Sequence, residues 1–306
     1  NLAGYFPEKE RSSVVDTVFY NGALQGTIES DYNYLNKHKN WNLSANYIAR
    51  FDTVGSTFKL LFDYVRTHPH TGGYVEVDHI IPGDAYTYRS NNESQNDLYS
   101  VTGDFDIRAG DNARVKTGFK YIFSQVDSWM KYEDLVGDIW VVRPDQTYDM
   151  VYDEHISAAY GRYTYTFDSK ISVGVGLRVE HTYAMPAATG VNNIERQNYF
   201  SFFPQADLIL PLGDSHQLIF NYARKIRRPS FWLLIPLRRP ISETEVAVGN
   251  PKLKPSFSHE FSLNWVIRQK YTVTAGAYLM NDVWVSTPRV DPDDPMSLIR
   301  TPENQN

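Results

Sequence analysis

GNPKLKPSFSHEFSLNWVIRQKYTVTAGAYLMNDVWV, residues 249–285, decides how the rest of the chain reads. It opens on a rigid segment, Gly249-Asn250-Pro251-Lys252-Leu253-Lys254-Pro255. Two alternating segments follow, parted only by Gln269-Lys270. In the first, Phe261, Leu263, Trp265 and Ile267 share one face, and Glu260, Ser262, Asn264 and Arg268 the other. In the second, Tyr271, Val273, Ala275, Ala277 and Leu279 oppose Thr272, Thr274, Gly276 and Asp282. A period of two places successive side chains on opposite faces of a sheet. Segments of about ten residues suffice for a tilted strand to cross a bilayer. A tight turn between them makes an antiparallel hairpin. One apolar, aromatic face and one polar face is the pattern of a transmembrane barrel strand.

The same rhythm runs through the chain. Leu43, Ala45, Tyr47, Ala49 and Phe51 alternate with Asn42, Ser44, Asn46 and Arg50. Ile171, Val173, Val175, Leu177 and Val179 alternate with Ser172, Gly174, Gly176, Arg178 and Glu180. The pattern predicts eleven strands, at 24–35, 41–52, 57–67, 97–108, 114–127, 151–167, 170–184, 201–212, 216–227, 257–268 and 271–285. Residues 1–23 carry no clear period. Short links such as Ala109-Gly110-Asp111-Asn112 and Leu212-Gly213-Asp214-Ser215 alternate with long ones at 68–96, 128–150, 185–200, 228–256 and beyond 286. Outer-membrane barrels have short periplasmic turns on one rim and long loops on the other. The short link 36–40 falls on the long-loop rim and breaks the rule.

Composition agrees. The 306 residues are 42% hydrophobic and 14% aromatic, with 22 Tyr, no Cys and a formal charge of −6. No run of about 18 apolar residues marks a transmembrane helix. The tyrosines suggest aromatic girdles at the membrane interfaces. Absence of Cys removes thiol catalysis and Cys-based zinc sites, and the acidic balance argues against nucleic acid. No Gly-x-Ser-x-Gly element or Gly-rich phosphate loop stands out, so the expectation is a non-enzyme without cofactor.

Asn221-Tyr222-Ala223-Arg224-Lys225-Ile226-Arg227-Arg228-Pro229-Ser230-Phe231, then Leu234-Ile235-Pro236 and Gly249-Asn250-Pro251-Lys252-Leu253-Lys254-Pro255, form an ordered set, with Phe203-Pro204 before it. This set resembles the C-terminal barrel region of TonB-dependent receptors, in the outer-membrane protein β-barrel family. Ile235 departs from the pattern, which has Asn before the Pro. The resemblance covers roughly 200–285; elsewhere only the rhythm matches. It implies a Gram-negative outer-membrane barrel of about 22 strands around an N-terminal plug. It also implies partners: outer-membrane lipid and lipopolysaccharide, a TonB complex acting through the plug, a surface lipoprotein lid, and a small ligand of unknown identity. On this reading residues 1–306 are one domain, part of a barrel wall. The plug and the closing strands lie elsewhere, because an unclosed sheet cannot satisfy its edges in lipid. The function expected is active uptake of a siderophore, vitamin, glycan or peptide. The rivals are an adhesion or structural barrel, and a soluble β-sandwich.

Several clusters could carry chemistry. His68, His70 and His79 with Glu76 and Asp78 could bind a divalent metal, but a solvated loop is the preferred reading. Asp291, Asp293 and Asp294 could hold calcium but lack EF-hand spacing. Arg224, Lys225, Arg227 and Arg228 could attract an anionic ligand or lipopolysaccharide phosphates. The blander reading pairs them with loop carboxylates such as Glu243 and Glu245. The apolar run Phe231-Trp232-Leu233-Leu234-Ile235 either folds inward over a plug or ligand, or packs beneath its own loop. Packing beneath the loop is preferred.

Overall fold

The computed structural model describes residues 4–20, 23–53, 55–81, 85–191, 194–292, 294–295 and 297–305. Its strands are β1 (Gly4–Tyr20), β2 (Ala23–Arg50), β3 (Thr57–Ile81), β4 (Ala85–Ala109), β5 (Ala113–Val136), β6 (Ile139–Val142), β7 (Tyr148–Thr166) and β8 (Ser172–Ala188). They continue with β9 (Gln197–Leu212), β10 (His216–Arg227), β11 (Arg238–Ser242), β12 (Glu245–Val248), β13 (Ser256–Ile267), β14 (Tyr271–Asn281), β15 (Val283–Val290) and β16 (Leu298–Gln305). One short helix, α1, spans Phe231–Leu234. The main sheet runs β1-β2-β3-β4-β5-β7-β8-β9-β10-β13-β14, with β6 paired to β5 alone. Every pairing in it is antiparallel and the strands follow in chain order, with β6 passed over between β5 and β7 and β11 and β12 between β10 and β13, as in an up-and-down barrel wall. Its edges, β1 and β14, do not pair with each other, so the wall is an open arc.

The deciding stretch folds as its period requires. Leu263 stands opposite Ala275, and Asn264 opposite Thr274, across β13 and β14. The Thr274 hydroxyl donates to Asn264 Oδ1 at 2.8 Å on the polar face. Arg268 and Gln269 take φ of 50° and 56°, and the Lys270 N–H closes on the Ile267 carbonyl at 3.0 Å. Paired left-handed residues are what a type I′ hairpin turn needs.

Five expectations are corrected. Residues 4–20 form β1, although their sequence shows no period. The strands expected at 24–35 and 41–52 are one, because the ladder to β3 continues unbroken through Asn36↔Thr71 and Asn40↔Thr67. The exception to the loop rule therefore disappears. Strand expected at 282–285 leaves the wall, and β15 pairs with β16 in a second sheet. The stretch beyond 286, read as a long link, holds most of β15 and all of β16; Asn306 lies outside the described residues. The supposed long loops 68–96 and 128–150 are mostly strand as well. Above a bilayer the outward face meets water, so its apolar period is lost while backbone pairing persists. The β3–β4 ladder lapses only between Thr67 and His70, where Pro69 has no N–H to give.

The outward face carries an in-register row of Leu43, Tyr64, Tyr99, Phe123, His155 and Tyr183. Successive rings from Tyr64 onward lie 4.8, 6.1, 4.8 and 6.3 Å apart. Cross-strand aromatic pairs of this kind contribute about 0.2–1 kcal/mol each. Just beyond the row the same face turns polar, with Arg66 Nε 2.7 Å from Asp97 and His68 Nε2 2.6 Å from Glu93. On β7 the band runs from His155 down to Tyr165 near the turn. Ten residues at about 3.3 Å each, tilted about 40°, span roughly 25 Å, the height of an outer-membrane apolar band.

This placement sets the topology. A tag inserted between Gly137 and Asp138, in the β5–β6 turn, is expected to bind antibody on intact cells. A tag at Gly110-Asp111 is expected to bind only after the outer membrane is opened. The opposite pattern would invert the wall. Gly72-Gly73 is no tag site: both lie inside β3, and a Cβ on Gly73 would sit 2.1 Å from the Asn33 carbonyl oxygen.

Candidate functional site at the outer mouth of the lumen

The connection from β10 to β13 folds back against the inner face of the wall. Val126, Tyr152 and Ala184 point inward from β5, β7 and β8, and Leu234 and Leu253 pack against them. Ile235 and Leu237 pack against Tyr148 and Met150. Leu253 is 0% exposed, Ile235 1% and Leu234 2%, so these are the largest of the fully buried side chains among the described residues. The apolar run 231–235 thus folds inward onto the lumen face of the wall, the reading not preferred, while also packing on Leu253 of its own connection.

The Gly-Asn-Pro-x-Leu-x-Pro element is the clasp. Gly249 lies so close to Ile235 that a Cβ would stand 2.2 Å from its carbonyl oxygen. The Asn250 N–H donates to the Leu233 carbonyl at 2.7 Å. Its side-chain amide donates to the Pro302 carbonyl at 2.9 Å, and its Oδ1 accepts from the Lys252 N–H at 3.0 Å. Asn250 therefore joins α1 to β16. Lys254 N–H donates to Asn304 Oδ1 at 2.9 Å, fixing the same junction. Around it β11, β12, β16 and β15 make a four-stranded sheet over the mouth.

Tyrosines and arginines line this mouth. Tyr32, Tyr34, Tyr86, Tyr88 and Tyr132 gather around Val75, Val77 and Met130, with Trp232 against them. The Arg143 guanidinium lies 4.8 Å above the Tyr88 ring and Arg239 4.9 Å above Trp232, whereas Arg89, 4.4 Å above Trp140, stacks on the outward face of the wall. Such stacking contributes about 0.5–2 kcal/mol, more when water is excluded. Burial pushes the Tyr32 and Tyr132 hydroxyls up to about 12, and it raises Tyr86 and Tyr88 as well. All four stay neutral donors at physiological pH. The Tyr86 hydroxyl donates to Glu243. Burial lowers the pKa of Arg239, whose Nη2 donates to the Trp232 carbonyl at 3.3 Å. The signal for this layer was readable: Tyr32 and Tyr34, then Tyr86 and Tyr88, repeat with a period of two.

The residues singled out from sequence fall as follows. His68 and His70 face outward from β3, and His68 pairs with Glu93. His79 faces inward and meets the Tyr86 ring at 5.6 Å. It lies nine positions beyond His70, roughly 30 Å along an extended strand. The three imidazoles cannot share an ion, and the segment is a strand and not a solvated loop. Glu76 and Asp78 face outward. Among the described residues no group of three or more His, Asp or Glu could hold a metal. Asp291 is buried beside Arg238, and Asp294 accepts from Ser297; Asp293 lies outside the described residues. The basic strand end is split between faces. Lys225 Nζ lies 2.5 Å from Glu260, Arg227 stacks 4.6 Å over Trp284, and Arg228 pairs with Glu180. Glu243 and Glu245 instead meet Tyr86 and Arg300. Two of the four, Lys225 and Arg228, pair with carboxylates as the blander reading has it, but those partners are wall residues and not loop acids.

Comparison with known proteins follows the geometry. The chain has the fold of the copper transporter OprC, with a TM-score of 0.55 at 12% identity, over 99% of this chain and 56% of that one. It also has the fold of the ferric enterobactin receptor PfeA, with a TM-score of 0.52 at 11% identity, over 99% of this chain and 57% of that one. The chain thus spans somewhat over half the length of these receptors. Curated protein sequences yield no match. The profile of the outer membrane protein beta-barrel family covers residues 49–306. An open antiparallel wall, an aromatic-bounded apolar band and this match over most of the sequence agree: the chain belongs to the outer membrane protein beta-barrel family and forms part of a β-barrel in the outer membrane.

Proposed function

We propose that this chain is the wall and outer mouth of a receptor for active uptake of a scarce or large nutrient, powered through TonB. The observation that carries the reading is the inward-folded 228–255 connection. A structural or adhesive barrel gains nothing from a mouth roofed by a clasped segment. A receptor uses one to narrow the lumen and present binding groups. Rings and guanidinium groups at that mouth suit a ligand with planar or anionic parts, such as the siderophores, vitamins, glycans or peptides considered above. OprC is named for copper and PfeA for ferric enterobactin, so receptors of this fold serve different cargoes. Ligand work needs the plug and TonB contact, which the reading assigns to other parts of the polypeptide. It assigns transport to this chain and no catalytic step.

The test uses the full-length protein that contains this chain. Purified in detergent, it is expected to bind the periplasmic domain of TonB saturably in a pull-down. Lack of binding would leave the wall intact and favour the adhesion or structural reading.

A further inference from the structure

A hollow of about 270 Å³ opens on the outward face of β3, β4, β5 and β7, outside the lumen. His68, Glu93, Gln95, Asp127, Trp129 and Asp149 line it. Strand register sets them in two rows, Gln95 beside Asp127, and Glu93 beside Trp129 beside Asp149. Trp129 stands three outward positions above Phe123 of the aromatic row. At about 3.3 Å per residue and a tilt of about 40°, that is roughly 15 Å higher. A girdle tryptophan would sit in the row itself. At the height of Trp129 the outward face meets water, so lipid does not account for this half-buried indole.

Among the described residues no ring or cation stacks on Trp129, and the side chains of Asp127 and Asp149 make no hydrogen bond or ion pair. Asp149 is directly opposite Trp129 across β5 and β7, which sets their Cβ atoms about 5 Å apart. The hollow therefore offers one free indole face with free carboxylate acceptors beside it. A pyranose ring has the matching parts, a face of C–H groups and a rim of hydroxyl donors. The lining is acidic. The cations one outward step from His68 and Trp129, Arg66 and Lys131, already have Asp97 and Glu133. An anionic sugar is repelled by such a lining, which favours a neutral one. A quaternary ammonium takes a cage of several rings, and this hollow has one indole.

We propose that this hollow holds one pyranose ring of a neutral oligosaccharide, stacked on Trp129 and bonded through its hydroxyls to Asp127 and Asp149. Drug-sized ligands occupy about 300–1,000 Å³, so the smaller hollow takes a single ring of a longer chain. The site lies on the outside of the wall. It holds a glycan at the cell surface without passing it into the lumen, and it is independent of any transport cargo and of TonB.

The test is saturation-transfer difference NMR on the full-length protein in lauryldimethylamine oxide, a detergent without a sugar head. The probes are maltotriose and cellotriose, with choline and de-acylated lipopolysaccharide core as comparisons. Wild-type protein is expected to transfer saturation to the ring protons of at least one trisaccharide. Trp129→Ala is expected to abolish the transfer, and Trp129→Tyr to keep most of it. Asp149→Asn is expected to weaken binding about tenfold, the equivalent of one charge-assisted hydrogen bond. Pull-down by TonB should not change in any of these variants. Folding is checked by heat-modifiable migration, and Asp149→Asn decides alone if Trp129→Ala does not fold. Three results each overturn the proposal: no transfer to either trisaccharide, undiminished transfer in folded Trp129→Ala or Asp149→Asn, or tighter binding of choline or the anionic core than of the trisaccharides.

Discussion

Ala275→Arg is expected to block assembly into lipid vesicles, while Thr274→Arg, its immediate neighbour, leaves assembly nearly intact. Ala275 lies mid-strand on β14, on the face that continues Tyr271, Val273 and Leu279. Val273 is 57% exposed and Tyr271 67%, an apolar surface with no protein cover in this chain. That exposure is acceptable only against lipid. Thr274 faces the other way and donates to Asn264 at 2.8 Å. An arginine near the bilayer midplane costs about 2–4 kcal/mol on the lipid face, and lumen-facing changes cost far less. Several kcal/mol is a large share of a typical folding free energy. The measurement is the folded fraction of the full-length protein refolded into vesicles, read by heat-modifiable migration. Equal loss in the two variants would mean that the faces are reversed or that neither meets lipid.

How much of this was legible depends on where two forces coincide. Inside the bilayer, backbone pairing and side-chain partition point the same way, so β8 and β13 could be read from Val173, Val175 and Leu177, or from Phe261, Leu263 and Trp265. Above the bilayer the outward face no longer selects apolar residues. Asn36-Lys37-His38-Lys39-Asn40 therefore looked like a link and is the middle of β2. The count of eleven strands survived because that false division of β2 was offset by the missed β1. The clasp was legible as a motif but not as a contact. Nothing in Gly249 or Asn250 announces Ile235 or Pro302 as its partner, because those contacts span different elements. The basic strand end shows the same limit. Arg224, Lys225, Arg227 and Arg228 are a single run in sequence, but strand alternation sends Arg224 toward the membrane and Lys225 and Arg227 toward the lumen.

The clasp yields the sharpest test of the roofed mouth. Gly249→Val is expected to release the 228–255 connection from the wall without unfolding the wall itself. The added Cβ would meet the Ile235 carbonyl oxygen at 2.2 Å and its carbonyl carbon at 2.8 Å. These are backbone atoms, so no rotamer change relieves the clash. Overpacking at a close contact typically costs about 1–3 kcal/mol. Here the strain also pulls Asn250 off the Leu233 and Pro302 carbonyls, and Leu253 out of its buried place. Leu253→Ala tests that second part alone, with about 2–5 kcal/mol expected from lost packing and the cavity left behind. Lys252→Ala is the control, since Lys252 is exposed and its one cited bond is made by its backbone N–H. Trypsin added to outer-membrane vesicles that hold the full-length protein is expected to cut after Arg238 or Lys252 in Gly249→Val and Leu253→Ala. The native protein and, at Arg238, the Lys252→Ala control should resist. The wall connects through the ladders β9-β10-β13-β14, which do not pass through the clasp, so heat-modifiable migration should survive. Native-like protease resistance in Gly249→Val would show that the connection is held in the mouth by something other than the packing of Gly249 on Ile235.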